Sequence, residues 1–120
     1  AAFLESLGLE GVTRLLFKTP SGIRWDDPSL PFDEELVALD RSGAQWVVEN
    51  RCEMVGIDYL SIAPYDDIDT THQILLSNNV IVLETLDLRQ VQADEYELIC
   101  LPLKLIGREA APARAILIKE

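Results

Sequence analysis

Residues 54–62 read MVGIDYLSI, a nearly continuous apolar run that predicts a strand buried on both faces of a sheet. Two other apolar runs, Val12–Thr19 (VTRLLFKT) and Val80–Leu86 (VIVLETL), predict further strands. Between the first and second strands, apolar residues at helical spacing predict a helix over about Glu34–Asn50, with Asp33 as its N-cap. Glycine at position 43 is expected to let this helix approach the sheet closely.

A short second helix carrying His72 is expected to follow the second strand, capped by Thr70 or Thr71 and ending at Asn78-Asn79. Strand, helix, strand, helix, strand indicates parallel pairing with helical crossovers. Residues 96–106 and 113–119 predict a closing antiparallel pair. The predicted fold class is α/β: one domain over residues 1–120, with a mixed, largely parallel sheet and a C-terminal antiparallel pair.

The composition restricts the classes of function. The chain has 120 residues, 48% of them hydrophobic, and a formal charge of −11 from 21 acidic and 10 basic residues. This charge argues against nucleic acid or an anionic membrane as a partner. We see neither an apolar run long enough to span a membrane nor a signal peptide. Only two cysteines are present, so a reducing, cytoplasmic location is expected.

The first residues, Ala1–Gly8, resemble the last turns of a helix with Gly8 as its C-terminal stop. No methionine precedes them. We therefore expect that other residues precede this segment in the natural protein.

Four charged residues lie inside apolar runs: Asp58, Glu84, Lys104 and Arg114. An ionised Glu84 is costly to bury among Val80–Leu83 unless it is paired or coordinated. His72, the only histidine, lies twelve residues upstream. Because sites in open α/β sheets gather at the carboxyl ends of the parallel strands, His72, Glu84 and the acidic loop 66–69 are expected near one edge. His72 and Glu84 are the candidate metal ligands.

Alternatives remain open at this point. A catalytic divalent metal usually takes three or more protein ligands, and this pair supplies two. Otherwise His72 is an ordinary helix residue and Glu84 pairs with Arg114 or Lys104. Asp58 is expected to hydrogen-bond neighbouring backbone or pair with a base. No catalytic or substrate-binding residue is assigned, and no serine lies in a nucleophile-elbow pattern.

These segments together resemble the cyclase family of metal-dependent hydrolases, which includes bacterial kynurenine formamidase and isatin hydrolase. The resemblance covers nearly the whole chain, and its order and spacing make it fairly specific. Its segments are LLFKT with Trp25, Phe32–Leu39, Val55–Ile62, Thr71-His72 with Ile74–Leu76, Val80–Glu84, Leu101–Lys104 and Gly107–Ala115.

The resemblance implies that His72 and Glu84 bind metal, Zn or Mn in an intact relative, within a swivelling β/β/α fold. It also implies a small-molecule substrate with an amide or formamide bond, such as N-formylkynurenine, cleaved to kynurenine and formate in tryptophan breakdown. The family's upstream H-x-G-T-H-x-D-x-P-x-H motif, which supplies the other ligands and an acid/base histidine, is absent here. The chain therefore resembles only the C-terminal part of a family enzyme.

Two hypotheses follow. In the first, the chain represents a metal-dependent hydrolase, inactive as this isolated fragment, whether it arose by gene truncation, proteolysis or deliberate shortening. In the second, it is a non-catalytic remnant that acts as an oligomerisation or small-molecule-binding module, with no metal. A homodimer is expected, because missing N-terminal strands leave an apolar sheet edge to cover.

Overall fold

The computed structural model describes residues 1–119, and a mixed α/β fold is confirmed. Three parallel strands pair in the order β1-β2-β3, with Leu16, Gly56 and Leu83 in register across the sheet. The strands of this sheet are β1 (Arg14–Phe17), β2 (Met54–Ile57) and β3 (Ile81–Leu83). The helices are α1 (Ala2–Glu5), α2 (Arg41–Glu49) and α3 (Ile68–Ser77), with 3₁₀ turns at Pro20–Trp25 and Tyr65–Asp67.

The described chain divides into two compact units, residues 1–90 and the residues from Val91 onward. The core of the first unit joins Val55 and Ile57 of β2 to Val47 of α2 and Leu75 of α3, all of them buried. This is what the apolar run of the second strand predicts, since a strand between crossover helices is covered on both faces. The single-domain assignment for residues 1–120 stays a prediction.

The second unit is an antiparallel hairpin, as predicted for the end of the chain. Its strands are β4 (Glu97–Pro102) and β5 (Ala113–Ile118), paired from Glu97 opposite Ile118 to Pro102 opposite Ala113. They form a two-stranded sheet of their own. Lys104, expected inside a strand, lies beyond the end of β4 and is exposed.

The strands are shorter than their apolar runs. The run 54–62 is in strand conformation only to Ile57, because its neighbours leave the sheet at the same level. After β1, Pro20 begins a 3₁₀ helix, and after β3, Thr85 adopts a positive φ of 62°. Residues 58–62 therefore lack a strand on either side, and they form the loop on which the candidate site is built.

The predicted helix over Glu34–Asn50 was wrong in its first half. The helix begins at Arg41, and its N-cap is Asp40, whose Oδ1 accepts the Gly43 N–H at 2.7 Å. Asp33 does not cap α2: its Oδ1 accepts the N–H of Glu35 in a local turn.

Residues 36–39 are held outside the helix by contacts with other segments. The N–H of Leu39 donates to the Ile62 carbonyl at 2.8 Å, and the N–H of Val37 donates to Ser21 Oγ at 3.2 Å. The Leu39 carbonyl in turn accepts the hydroxyl of the buried Thr71. These tertiary bonds use the groups that a longer helix would need, so local helix propensity gives way to tertiary context.

Gly43 permits a close approach, but not to the sheet as expected. A Cβ at this position would lie 2.6 Å from Leu39 Cδ1, a distance that real Cβ atoms do not show. The glycine therefore allows the buried Leu39 to fold back over the first turn of α2.

Replacing Asp40 tests the observed helix start. Its hydrogen bonds from the Gly43 N–H and the Ser42 hydroxyl hold the pKa of Asp40 below its ordinary value. Asp40→Ala is expected to lower the free energy of unfolding by about 1 kcal/mol at neutral pH, measured by urea denaturation. Because the folded pKa is lowered, this contribution is present above the unfolded pKa and is lost as pH falls through the folded value.

Asp40→Asn is the control, because the amide oxygen keeps the cap but does not titrate. It is expected to retain most of the stability at neutral pH and to show a weaker acid dependence. An Ala variant as stable as the wild type would contradict the assignment of Asp40 as the cap.

Candidate metal centre

His72 and Glu84 come together at the carboxyl edge of the parallel sheet. Glu84 directly follows β3, and His72 lies on α3, the helix that precedes this strand. The Nε2 atom of His72 lies 3.2 Å from Oε1 of Glu84. Both side chains are partly open to solvent, with 25% and 32% of their surfaces exposed. An imidazole nitrogen and a carboxylate oxygen are thus presented side by side at an accessible position.

The ring of His72 is oriented by a backbone carbonyl. Its Nδ1 lies 2.8 Å from the Ile68 oxygen, which can only accept, so Nδ1 carries the proton in this arrangement. In the neutral ring, the Nε2 lone pair then points toward the Glu84 oxygen. Two electron-rich atoms at this separation attract one another only through a proton or a cation between them. Metal-binding histidines typically hold their second nitrogen in this way.

Glu84 is oriented by the loop that follows β2. The N–H of Ile62 donates to Oε1 of Glu84 at 2.8 Å. The next residue, Thr85, has a φ of 62°, a left-handed conformation that is rare for a β-branched residue. Its N–H donates to the Tyr59 carbonyl at 2.7 Å, which secures the turn. The chain therefore bends sharply just after Glu84 while its carboxylate is held on the same loop.

The segment after Glu84 is fixed by polar contacts. The indole N–H of Trp25 donates to the Leu86 carbonyl at 2.8 Å. Arg89 bonds the Trp25 carbonyl and the carboxylates of Asp26 and Asp87, and its guanidinium lowers the pKa of Asp87 to about 2. Trp25 thus ties the 3₁₀ turn after β1 to the segment that follows Glu84.

The acidic loop contributes no third ligand. Asp66 and Asp67 lie in the 3₁₀ turn before α3, and Asp69 lies in its first turn. Within residues 1–119, no group of three or more His, Cys, Asp or Glu side chains is arranged to hold a metal ion. The donor types and their orientation fit a divalent metal, but they are only two of the three or more protein ligands that a catalytic site usually has.

Asp58 has a structural role: it hydrogen-bonds neighbouring backbone, as expected from the sequence. It is 3% exposed, and its carboxylate accepts the N–H and the hydroxyl of Thr19 at 2.9 and 2.8 Å. A Cβ at Gly22 would lie 2.4 Å from Asp58 Oδ2, so only glycine fits there without a shift. Asp58 joins the ends of β1 and β2. The alternative partners proposed for Glu84, Arg114 and Lys104, belong to the second unit, and that pairing stays a prediction.

Sequence reasoning missed the groups that orient the pair. The Ile68 carbonyl and the Ile62 amide are backbone atoms, which no residue type reveals. The positive φ of Thr85 could not be predicted either, because glycine and asparagine commonly adopt this conformation and threonine does not.

The chain is similar to two groups of known proteins, although no family model matches it. It is 43% identical to "Cyclase-like protein 3" of Oryza sativa subsp. japonica, over 99% of this chain and 45% of that protein. It is 39% identical to "Kynurenine formamidase" of Salinibacter ruber (strain DSM 13855 / M31), over 94% and 54%. The chain therefore spans about half the length of the curated relatives it matches.

Solved structures share the fold. A predicted metal-dependent hydrolase from Bacillus stearothermophilus superposes with a TM-score of 0.82 at 32% identity, over 95% of this chain and 53% of that one. A potential metal-dependent hydrolase with cyclase activity superposes with a TM-score of 0.69 at 28% identity, over 85% and 62%. The resemblance noted from the sequence is confirmed at the level of homology and fold.

Removing the Asp58 carboxylate tests its structural role. Asp58→Ala leaves the N–H and hydroxyl of Thr19 without their acceptor, so we expect a loss of about 1–3 kcal/mol in the free energy of unfolding. Urea denaturation measures it, with the exposed Asp66→Ala as the control that stays close to the wild type. Equal stability of both variants would contradict this role.

Relieving the strained turn tests the role of Thr85. Asparagine adopts a positive φ more readily, so Thr85→Asn is expected to raise the free energy of unfolding by about 0.5–1 kcal/mol. Thr85→Val keeps the branched side chain and serves as the control, with no gain expected in the same urea titration. An equal gain in both variants would show that backbone strain is not its cause.

Proposed function

The chain is homologous to cyclase-family proteins over about half of their length, and on that premise we propose that the intact protein is a metal-dependent amide or formamide hydrolase. In this proposal His72 and Glu84 are two of the metal ligands. The observation that carries it is the pairing of Nε2 and Oε1 at 3.2 Å, with Nδ1 of the ring already bonded to the Ile68 carbonyl. Zinc or manganese fits a nitrogen and an oxygen donor.

The residues of this chain would act by holding and orienting. The Ile68 carbonyl keeps the proton of the neutral ring on Nδ1, so the lone pair of Nε2 is left to bind a metal. The Ile62 amide binds one oxygen of Glu84, and the Thr85 turn fixes the backbone that follows it. When bound, a divalent metal supplies Lewis acidity for the hydrolysis of a carbonyl group.

A kynurenine formamidase activity is the finer proposal. Its support is the similarity to the kynurenine formamidases of Salinibacter ruber and of Bacillus cereus (strain ATCC 14579), 39% and 35% identical. The substrate would then be N-formylkynurenine, and the protein would take part in tryptophan breakdown.

A cytoplasmic location fits two free cysteines, and burial raises the pKa of the Cys52 thiol. No helix within residues 1–119 is both long and apolar enough to cross a membrane.

The isolated chain is proposed to be inactive. Its only histidine is committed as a ligand, so it cannot also serve as a general acid or base. Within residues 1–119, the ligand set stops at two side chains. The second candidate function, a non-catalytic module for oligomerisation or small-molecule binding, applies if no other part of the protein supplies further ligands.

Metal content distinguishes these functions. Elemental analysis of the purified chain is expected to find zinc or manganese, and His72→Ala or Glu84→Ala is expected to lower the affinity at least about tenfold. Gln73→Ala, an exposed neighbour on α3, is the matched control and should keep the metal. Hydrolysis of N-formylkynurenine by the isolated chain is expected to be undetectable.

A metal-free wild type that also takes up no added zinc or manganese would show that His72 and Glu84 do not hold a metal within this chain alone, and it would favour the second candidate function. Metal bound equally by all variants would place the site elsewhere in the chain. Circular dichroism of each variant checks that the fold is retained.

A further inference from the structure

Thr71 places a buried hydroxyl inside a helix. It lies one turn inside α3, which begins at Ile68, so it is not the N-cap that the sequence predicted. The residue is 0% exposed, and its hydroxyl donates to the Leu39 carbonyl at 3.2 Å. A buried hydroxyl needs a partner, and a threonine within a helix often finds it in the preceding turn. Here the partner belongs to another segment, so the bond fixes how α3 lies against that segment.

The peptide groups of Leu39 connect this helix to the loop that holds Glu84. The Leu39 carbonyl accepts from Thr71, and its N–H donates to the Ile62 carbonyl at 2.8 Å. The N–H of Ile62 in turn donates to Oε1 of Glu84 at 2.8 Å. Leu39 and Ile62 are 8% and 0% exposed, so water does not compete for the bond between them. A chain of hydrogen bonds therefore runs from α3 to the Glu84 carboxylate.

These bonds close a circuit around the candidate ligand pair. His72 follows Thr71 in the chain, and its Nε2 lies 3.2 Å from the same Oε1 of Glu84. The other links are covalent bonds or hydrogen bonds, whereas this one joins two electron-rich atoms when Nδ1 carries the proton. The separation of the pair is thus imposed by the rest of the circuit and not by attraction between the two side chains.

Thr71 supplies the directional link on the helix side of the circuit. Leu75, one turn further along the same face, is 0% exposed and anchors α3 by apolar packing. Such packing has no preferred direction and tolerates small rotations of the helix, whereas a hydrogen bond depends on both distance and angle. His72 lies about 100° around the helix from Thr71, so a rotation of α3 moves the imidazole relative to Glu84.

We propose that Thr71 is a positioning residue for the candidate metal centre: by bonding the Leu39 carbonyl, it holds His72 beside Glu84 before any metal binds. The inference builds on the proposed function, in which these two residues are metal ligands. It adds that the pair is pre-organised by a hydroxyl whose own hydrogen bond goes to neither ligand. Groups that orient ligands in this way contribute to metal affinity without contacting the metal.

NMR of the isotope-labelled chain in EDTA measures the separation of the pair. The ring protons beside Nε2 of His72 are expected to show nuclear Overhauser effects (NOEs) to the side-chain methylenes of Glu84. His72 is the only histidine, so its ring signals are unambiguous. Thr71→Val keeps nearly the same volume but removes the hydroxyl, so these NOEs are expected to be lost. Thr71→Ser keeps the hydroxyl and is expected to retain them.

Ser21→Ala is the matched control for loss of a buried hydroxyl. The Ser21 hydroxyl oxygen accepts the N–H of Val37, two residues before Leu39, but it lies outside the circuit. This variant is expected to keep the NOEs. Circular dichroism checks that each variant is folded. Thr71→Ala also removes the hydroxyl while favouring the helix, and it repeats the test if the valine variant does not fold.

Zinc affinity, measured by calorimetry with the metal alone, is the second readout. Thr71→Val is expected to bind zinc about tenfold more weakly than the wild type, and Thr71→Ser to recover most of the affinity. If the wild-type chain takes up no zinc, the ligand roles fail within this chain alone, and the NOE comparison still decides the role of Thr71.

The NOE results separate positioning from a merely structural role. Loss of the NOEs in Thr71→Val, with their retention in Thr71→Ser, would support the inference. A hydroxyl that only stabilises the core would lower the stability of Thr71→Val but leave the NOEs unchanged, and that result would overturn it. Equal loss in Ser21→Ala, or absence of the NOEs from the wild type, would overturn it as well.

Discussion

The parallel pairing of β2 with β3 is the constraint on which the rest of the first unit depends. It requires a crossover, and α3 supplies it through a tight turn in which the Val80 N–H returns to the Leu75 carbonyl. From Ser77 back to His72 the helix rises about 7.5 Å at 1.5 Å per residue. From Ile81 to Glu84 the strand rises about 10 Å at 3.3 Å per residue. The twelve-residue spacing therefore brings both residues to a similar height at the sheet edge.

Backbone groups give this pair its chemical character. Because Nδ1 of His72 donates its proton to the Ile68 carbonyl, Nε2 is the ring nitrogen with a lone pair available to a metal. The Ile62 N–H donates to Oε1 of Glu84 and so orients the carboxylate. The strained turn at Thr85 bends the chain out of β3 immediately after Glu84, so Glu84 stays close to His72. Such strain persists when surrounding bonds over-determine it, as the bond from Thr85 to Tyr59 does here.

Homology shows which proteins the chain is similar to, and the geometry shows a pair of candidate ligands. The relatives are about twice as long as the segment they share with this chain, and they are named cyclase-like proteins and kynurenine formamidases. The structure orients one nitrogen and one oxygen donor but brings no third ligand to them within residues 1–119. An oriented but incomplete donor set is consistent with a site that other residues complete, from further along the protein or from a partner.

The sequence by itself determined the α/β class, the three parallel strands and the closing hairpin, and it predicted that His72 and Glu84 lie near one edge of the sheet. Apolar periodicity and the short α3-to-β3 connection are local, so they can be read from residue order. Only the tertiary structure decided that α2 begins at Arg41, because the N–H of Leu39 is bonded to the distant Ile62 carbonyl. It alone also decided which atoms orient the pair, since those contacts come from backbone groups that the fold brings together and no residue type encodes.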